Sequence, residues 1–347
     1  MASFQINLNS NKIVGIVTHP LLWNYGGLLQ NFALHQTLKK LGYKPITLNY
    51  VLPKLSIVKY FRFLLKTCLL FFTSRRRPFV RRKNIYSRLS SFDDFFKKYI
   101  AKTKPFCQYS VKLLNENNIG CVIVGSDQVW RPQRFPPVQD MYLAFCKKES
   151  NLKRIAYAAS FGVDYWEYTS KQSEVCARLV KKFDAVSVRE KSGIKLCKDH
   201  FDVDTTLVLD PTLLLNKEDY SAVCATIPNK SKKYLAAYIL DMNDDIRNLC
   251  ESIASEKKLI PVYFSSGQTA TLTVPEWLAM FRDASYVVTD SFHGTVFSII
   301  FGKEFKCLYN ESRGSTRFDS LLKLYESGKL DEMREFSLNW LKNALEK

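Results

Sequence analysis

The chain has 347 residues, 46% of them hydrophobic and 24% charged, with a formal net charge of +18. That length exceeds what one hydrophobic core usually carries, so two domains are expected, and the composition excludes a disordered or fibrous chain. Nine cysteines stand singly with no CxxC pair, which excludes a disulfide framework or a common zinc spacing and suits a reducing cytoplasm.

Residues 12–18, KIVGIVT, form a short apolar run of the kind a buried parallel strand needs. No apolar leader precedes it, so no secretory signal is expected. A helical pattern follows over 28–41, with Leu29, Phe32, Ala33, Gln36 and Leu38 near helix spacing and Gly42 closing it. Residues 45–50 read as the next strand. The three make a βαβ unit, whose right-handed crossover implies a parallel sheet.

Residues 54–83 then carry ten Lys and Arg and no acid, more than half of the charge excess. Lys59, Arg62 and Lys66 fall on one helical face with Phe and Leu on the other, followed by Arg75, Arg76, Arg77, Arg81, Arg82 and Lys83. This is the pattern of a helix lying in a membrane interface beside anionic lipid; the plain alternative is an amphipathic helix packed on the first domain. No run of eighteen uncharged apolar residues exists, so no spanning helix is expected. Nucleic acid is not an expected partner, because no nucleic-acid module accompanies the charge.

Strand candidates at 121–124, 154–159, 185–188 and 207–209 continue the first domain. The polar stretch 216–233, with Pro228, marks a boundary. A second set follows at 234–240, 260–263, 286–289 and 304–308, and Pro275 opens a helix where its missing N–H costs nothing. The expected fold is α/β: two doubly wound Rossmann-like domains, 1–215 and 216–347, facing a cleft. In such sheets ligands bind beyond the carboxyl ends of the strands.

The sharpest polar constellation is Thr289-Asp290-Ser291-Phe292-His293-Gly294-Thr295, between an apolar strand and an apolar helix. A helix N-terminus there can hold a phosphate or carboxylate, Gly294 permits close backbone approach, and His293 is placed for acid–base work near neutral pH. The plain alternative is a capped turn with a bystander histidine. The second constellation, Gly125-Ser126-Asp127-Gln128-Val129-Trp130-Arg131, reads either as a turn over a packed Trp130 or as a loop whose Asp127 and Gln128 bond sugar hydroxyls. In the third, Asn24 and Tyr25 precede Gly26 and Gly27 at a helix start, as ligand contacts or as turn residues. Arg189, ending VSVR, and Arg317 are anion-clamp candidates in a cleft and surface ion-pairing groups otherwise. Asp210 reads as structural.

Taken in order, NYGGLLQNFAL, VGSDQVW, ASFG, VSVRE, VLDPTLLL and VTDSFHGTVFSIIF resemble the polysaccharide pyruvyl transferase family, in its capsule and exopolysaccharide branch, over about residues 12–322. The resemblance implies a GT-B-like fold and transfer from phosphoenolpyruvate to a sugar, forming a pyruvate ketal and releasing phosphate. It implies no cofactor and no metal, with phosphoenolpyruvate as co-substrate. His293 matches the family's histidine near the donor. An arginine that some branches carry two residues earlier is Ser291 here, which shifts the clamp to Arg189 and Arg317 and puts Ser291 and Gly294 beside the donor. Asn24 and Asp127 match first-domain loops that line the cleft; with Tyr25 and Gln128 they form the expected acceptor side. The implied acceptor is a galactose-bearing, polyprenyl-diphosphate-linked repeat, and the implied location is the cytoplasm, at the inner face of the membrane. A nucleotide-sugar glycosyltransferase and a non-catalytic membrane-associated assembly factor remain the competing classes.

Overall fold

The structure is a computed structural model that describes residues 12–20, 24–51, 92–135, 137–149, 151–230, 233–266, 272–308 and 316–347, the side chains of 316 and 317 excepted. The basic run at 54–83 therefore lies outside the described residues. The first half holds β1 (Ile13–Val17), α1 (Tyr25–Lys40), β2 (Lys44–Thr47), α2 (92–99), α3 (Val111–Glu116), β3 (Cys121–Val124) and β4 (Lys153–Ala159). It continues with α4 (Ser170–Val180), β5 (Ala185–Val188), α5 (Lys191–Phe201) and β6 (Thr206–Leu207). The second half holds α6 (Lys217–Val223), β7 (Tyr234–Tyr238), α7 (Asp244–Glu256), β8 (Ile260–Phe264), α8 (Val274–Arg282), β9 (Tyr286–Thr289), α9 (Phe292–Ile300) and β10 (Phe305–Cys307). Two helices close the chain, α10 (Thr316–Glu326) and α11 (Leu330–Glu346).

Most of these strands are uncharged and β-branched because helices cover both faces of a parallel sheet. Six pair in the order β2-β1-β3-β4-β5-β6 and four in the order β10-β9-β7-β8, all parallel. Each sheet thus has a point where strand order reverses, between β1 and β3 in one and between β7 and β9 in the other. Ligand crevices form beyond the carboxyl ends at such points. The expected α/β, two-sheet, GT-B-like architecture is the one observed.

Two helices couple the halves. Helix α1 has no charged residue before Lys39 because it is buried all round. Leu34 and Leu38 pack with Val14, Ile16 and Ile123 of the first sheet. Tyr25, Leu28, Leu29 and Phe32 pack with Tyr220, Tyr238 and Trp277 of the second half. Helix α11 departs from the expected partition, in which 216–347 formed one unit. Its Leu341, Ala344 and Leu345 join the core cluster of Val14, Ile155 and Tyr157. Ser337 Oγ accepts the Leu209 N–H at 2.9 Å, Lys153 Nζ donates to the Leu345 carbonyl at 2.8 Å, and Arg334 Nε donates to the Leu213 carbonyl at 2.7 Å. The apolar stripe of α11 is thus paired with the first sheet, a choice of partner that periodicity alone does not specify.

Candidate active site

The carboxyl ends of the two reversal points meet across a cleft of about 270 Å³. The loops after β1 and β3 contribute His19, Asn24, Asp127, Gln128 and Arg134; the second half contributes Leu240, Ser266, Asp290, Ser291, Phe292, His293 and Phe318. Four of the residues expected from sequence on one wall or the other, Asn24, Asp127, Gln128 and Ser291, therefore meet at one place with His293.

The His293 turn is built from short local bonds. Thr289 Oγ1 donates to the Tyr238 carbonyl at 2.7 Å and accepts the Ser291 N–H at 3.1 Å. Ser291 caps α9, its Oγ accepting the Gly294 N–H at 3.3 Å; a serine in this position satisfies a donor that the helix cannot. Asp290 accepts the Leu240 and Asp241 N–H groups at 2.7 and 2.9 Å, fixing the loop after β7 to the end of β9. Gly294, expected beside the donor, also has a packing role. A methyl group there would lie 2.2 Å from Thr289 Oγ1, so the missing side chain lets helix α9 sit against strand β9. Gly26, on the opposite wall, does the same for the histidine: a Cβ would fall 2.1 Å from His293 Nδ1. The imidazole is packed against the first turn of α1.

Behind His293 lies a buried ionic cluster. Arg189 Nη1 donates to Asp210 Oδ2 at 2.6 Å and to Ser126 Oγ at 3.1 Å, and Nη2 donates to Asp127 Oδ1 at 3.3 Å. Glu190 Oε2 stands 3.8 Å from Arg189 Nε, while Glu190 Oε1 accepts the Phe161 and Gly162 N–H groups. Ser126 Oγ donates to Asp210 Oδ2 at 2.7 Å, and Thr212 supplies its N–H and hydroxyl to Asp210 Oδ1 at 3.0 and 2.6 Å. That same Oδ1 is 3.9 Å from His293 Nε2. Burial works to raise the Asp210 carboxyl, but Arg189, His293, Thr212 and Ser126 outweigh it and hold the group below its ordinary value. Burial likewise works to lower the Arg189 guanidinium, and Asp210, Asp127 and Glu190 push it up instead. Arg189 also lies over the Phe292 ring, 5.1 Å from its centroid. Residues of both halves therefore share this cluster.

Two expectations change, and one open alternative is decided. Arg189, with a side chain only 1% exposed and carboxylates on three sides, has no open face for the anion clamp expected of it. Tyr25 is fully buried, stacked on Trp277 at 5.2 Å with its hydroxyl donating to the Leu272 carbonyl at 2.6 Å; it joins the halves and does not line the cleft. Trp130 is buried against Tyr142, its indole N–H donating to the Met141 carbonyl, so the packed-turn reading of that residue holds. Arg317 sits in the first turn of α10, and its side chain lies outside the described residues.

A family model described as polysaccharide pyruvyl transferase matches residues 24–312. The chain belongs to that family. It is accordingly an enzyme that transfers pyruvate onto polysaccharide. A comparison with curated proteins found no match. Among solved structures, the transferase is similar to an S. aureus MnaA–UDP complex at 11% identity, TM-score 0.47, covering 93% of this chain and 90% of that one. It is similar to the wall teichoic acid polymerase TagF at 10% identity, TM-score 0.44, covering 97% and 84%. It is also similar to the UDP-GlcNAc 2-epimerase of Methanocaldococcus jannaschii at 10% identity, TM-score 0.43, covering 91% and 92%.

Sequence reasoning about the transferase missed His19, Arg134, Phe318 and Asp210. His19 and Arg134 sit one and several residues past regular strand or turn signals and carry no pattern of their own. Arg134 Nε donates to Gln128 Oε1 at 3.2 Å, which orients both groups at the cleft. Asp210 did carry a signal, since Asp-Pro-Thr is a turn-capping sequence, and its Oδ1 performs that capping. What the second oxygen does depends on partners far along the chain.

Proposed function

We propose that the donor is phosphoenolpyruvate, and that the product is a pyruvate ketal bridging two hydroxyls of one sugar, with His293 as the acid–base group. The observation that carries this reading is a histidine at the cleft 3.9 Å from a buried carboxylate, on the first turn of a helix whose positive end faces the same space. His293, protonated, gives its proton to the methylene carbon of the donor, leaving an oxocarbenium-like centre at C2. One sugar hydroxyl bonds to C2 and its proton passes to the neutral imidazole. The second hydroxyl bonds to C2 as the C2–O bond to phosphate breaks, and its proton leaves with the phosphate. Each step moves charge at a place where oriented donors stabilise it.

The donor's anionic groups have as partners the N-terminal turn of α9 with Ser291, the His19 imidazole, and the guanidinium groups of Arg134 and Arg317. On the first-half wall, beside His19 and Arg134, Asn24, Asp127 and Gln128 bond the acceptor's hydroxyls. For the acceptor we favour a galactose-bearing repeat linked to polyprenyl diphosphate, worked on at the inner face of the membrane. The basic, aromatic run at 54–83 supports that choice, as it suits an anionic membrane surface.

The test is phosphate release from phosphoenolpyruvate with and without a galactose-containing lipid-linked acceptor, with the glycan weighed afterwards. The expected result is acceptor-dependent release with a matching mass gain. No release across a broad acceptor panel, with stabilisation by a nucleotide sugar instead, would overturn the reading in favour of glycosyl transfer.

A further inference from the structure

We propose that Asp210 is the positioning residue of this site: it fixes the orientation of the His293 imidazole and stabilises the positive charge that His293 carries as the acid. The inference rests on the assignment of His293 above and goes beyond it. Asp210 is fully buried, and its two oxygens are divided between two tasks. Oδ2 takes Arg189 and Ser126; Oδ1 takes Thr212 and faces His293 Nε2 at 3.9 Å. The first task leaves the second possible, because Arg189 keeps the carboxyl ionised where burial would neutralise it.

Charge counting says why a cation is wanted beside it. Asp127, Glu190 and Asp210 surround a single guanidinium, so the buried cluster is short of positive charge. An imidazolium at the edge of the cluster offsets part of that deficit, and a carboxylate within 4 Å favours the protonated ring. The ring is also confined sterically, since Gly26 of α1 packs on its Nδ1 edge and brings no charge. Among the described residues, the other charged or titratable groups at the same cleft are His19, Asp127, Arg134 and Asp290. Of these, Asp127 is engaged by Arg189 and Asp290 by two backbone N–H groups, while Asp210 Oδ1 stands 3.9 Å from the imidazole Nε2. The geometry is that of an imidazole with a buried anion 3.9 Å from its Nε2, beyond hydrogen-bond length but within reach of its charge, and with the anion itself held by an arginine.

A purely structural Asp210, serving only to cap the turn at Pro211–Leu214, would not move the titration of His293. Imidazole NMR on the full chain, without substrate, separates the two. The signals of the four histidines are followed against pH, with His293→Gln used to assign the one of interest. In Asp210→Asn the His293 midpoint is expected to fall by at least one pH unit, and the alkaline limb of the kcat profile, where the protonated acid is lost, to move down with it while the KM for acceptor stays within twofold. An unchanged midpoint in a folded Asp210→Asn protein overturns the proposal. Should that variant not fold, Thr212→Val answers the question with the opposite sign. Losing the hydroxyl donor at 2.6 Å leaves Oδ1 more negative, so the His293 midpoint is expected to rise; a midpoint that stays or falls overturns the proposal. Absence of turnover with phosphoenolpyruvate in the wild type would instead fail the donor assignment, and the NMR result would stand apart from it.

Discussion

Replacing Gly26 with alanine tests whether the two halves hold the imidazole between them. The new methyl carbon would lie 2.1 Å from His293 Nδ1 and 2.5 Å from its Cγ, against 3.4 Å at the near end of ordinary contact. About 1.3 Å of separation must therefore be found, the difference between those two distances. Helix α1 cannot supply it cheaply, because Tyr25, Leu28, Leu29 and Phe32 lock it into the core that joins the halves. Helix α9 is similarly fixed by Gly294 against Thr289. The ring must rotate off its position or the halves must part, at an overpacking cost of about 1–3 kcal/mol, offset by up to roughly 1 kcal/mol of better helix propensity. Displacing a reacting group by about 1 Å costs on the order of a hundredfold in turnover. We expect Gly26→Ala to lower kcat by that order and Tm by a few degrees, read by acceptor-dependent phosphate release and thermal unfolding. Gly27→Ala is the control: the atoms nearest its Cβ are side-chain ends of Asn24 and Asp127, at 3.2 and 3.3 Å, and it should act mildly. Wild-type kcat in Gly26→Ala would refute the idea that this contact sets the histidine's place.

Arg189→Met leaves Asp127, Glu190 and Asp210 without their shared cation, and removing one partner from a buried ionic cluster costs about 3–5 kcal/mol; urea unfolding should show it. A surface clamp for the donor would instead raise the donor KM and leave stability alone, so an unchanged unfolding midpoint would contradict the inward role. The acid limb of stability should depend on His35, which burial and, secondarily, Lys39 lower from 6.5 to about 3, with Nε2 2.8 Å from Thr47 Oγ1. Its folded value lies below its unfolded one, so its contribution is complete above pH 6.5 and is lost as pH falls from there toward 3, at about 1.4 kcal/mol per pH unit. His35→Gln should flatten that slope in unfolding curves at pH 7.5, 6 and 5, and identical slopes would disprove the assignment.

Much of the fold could be read from the chain because parallel strands covered on both faces announce themselves as apolar runs. Cys121–Val124, Ala185–Val188 and Tyr286–Thr289 were expected at those same bounds. The His293 turn was legible for a related reason: a strand, a cap and a helix in sequence imply exposed polar groups at one end of a sheet. Tyr25 misled because an aromatic beside two glycines at a helix start looks alike whether it meets a ligand or the other half of the protein. The glycines were hard to read, since Gly26 makes room for His293 and Gly294 for Thr289, packing that sequence alone does not distinguish from approach by a ligand. Asp210 was least legible. Its partners Ser126, Arg189 and His293 lie 84 and 21 residues before it and 83 after it, and no local spacing encodes such a meeting.

The return of α11 to the first sheet gives the second sheet the standing of an insertion. The chain leaves the first half after residue 215, builds β7 to β10, and comes back to end on β4 and the loop after β6. A unit tethered at both ends does not swivel freely as one on a single linker does. Any displacement of the second sheet against the first must turn the chain at both crossings at once, a tighter constraint than a single linker imposes. The residues that oppose one another across the cleft, such as Asn24 and Ser291, are thus kept facing each other by two covalent connections.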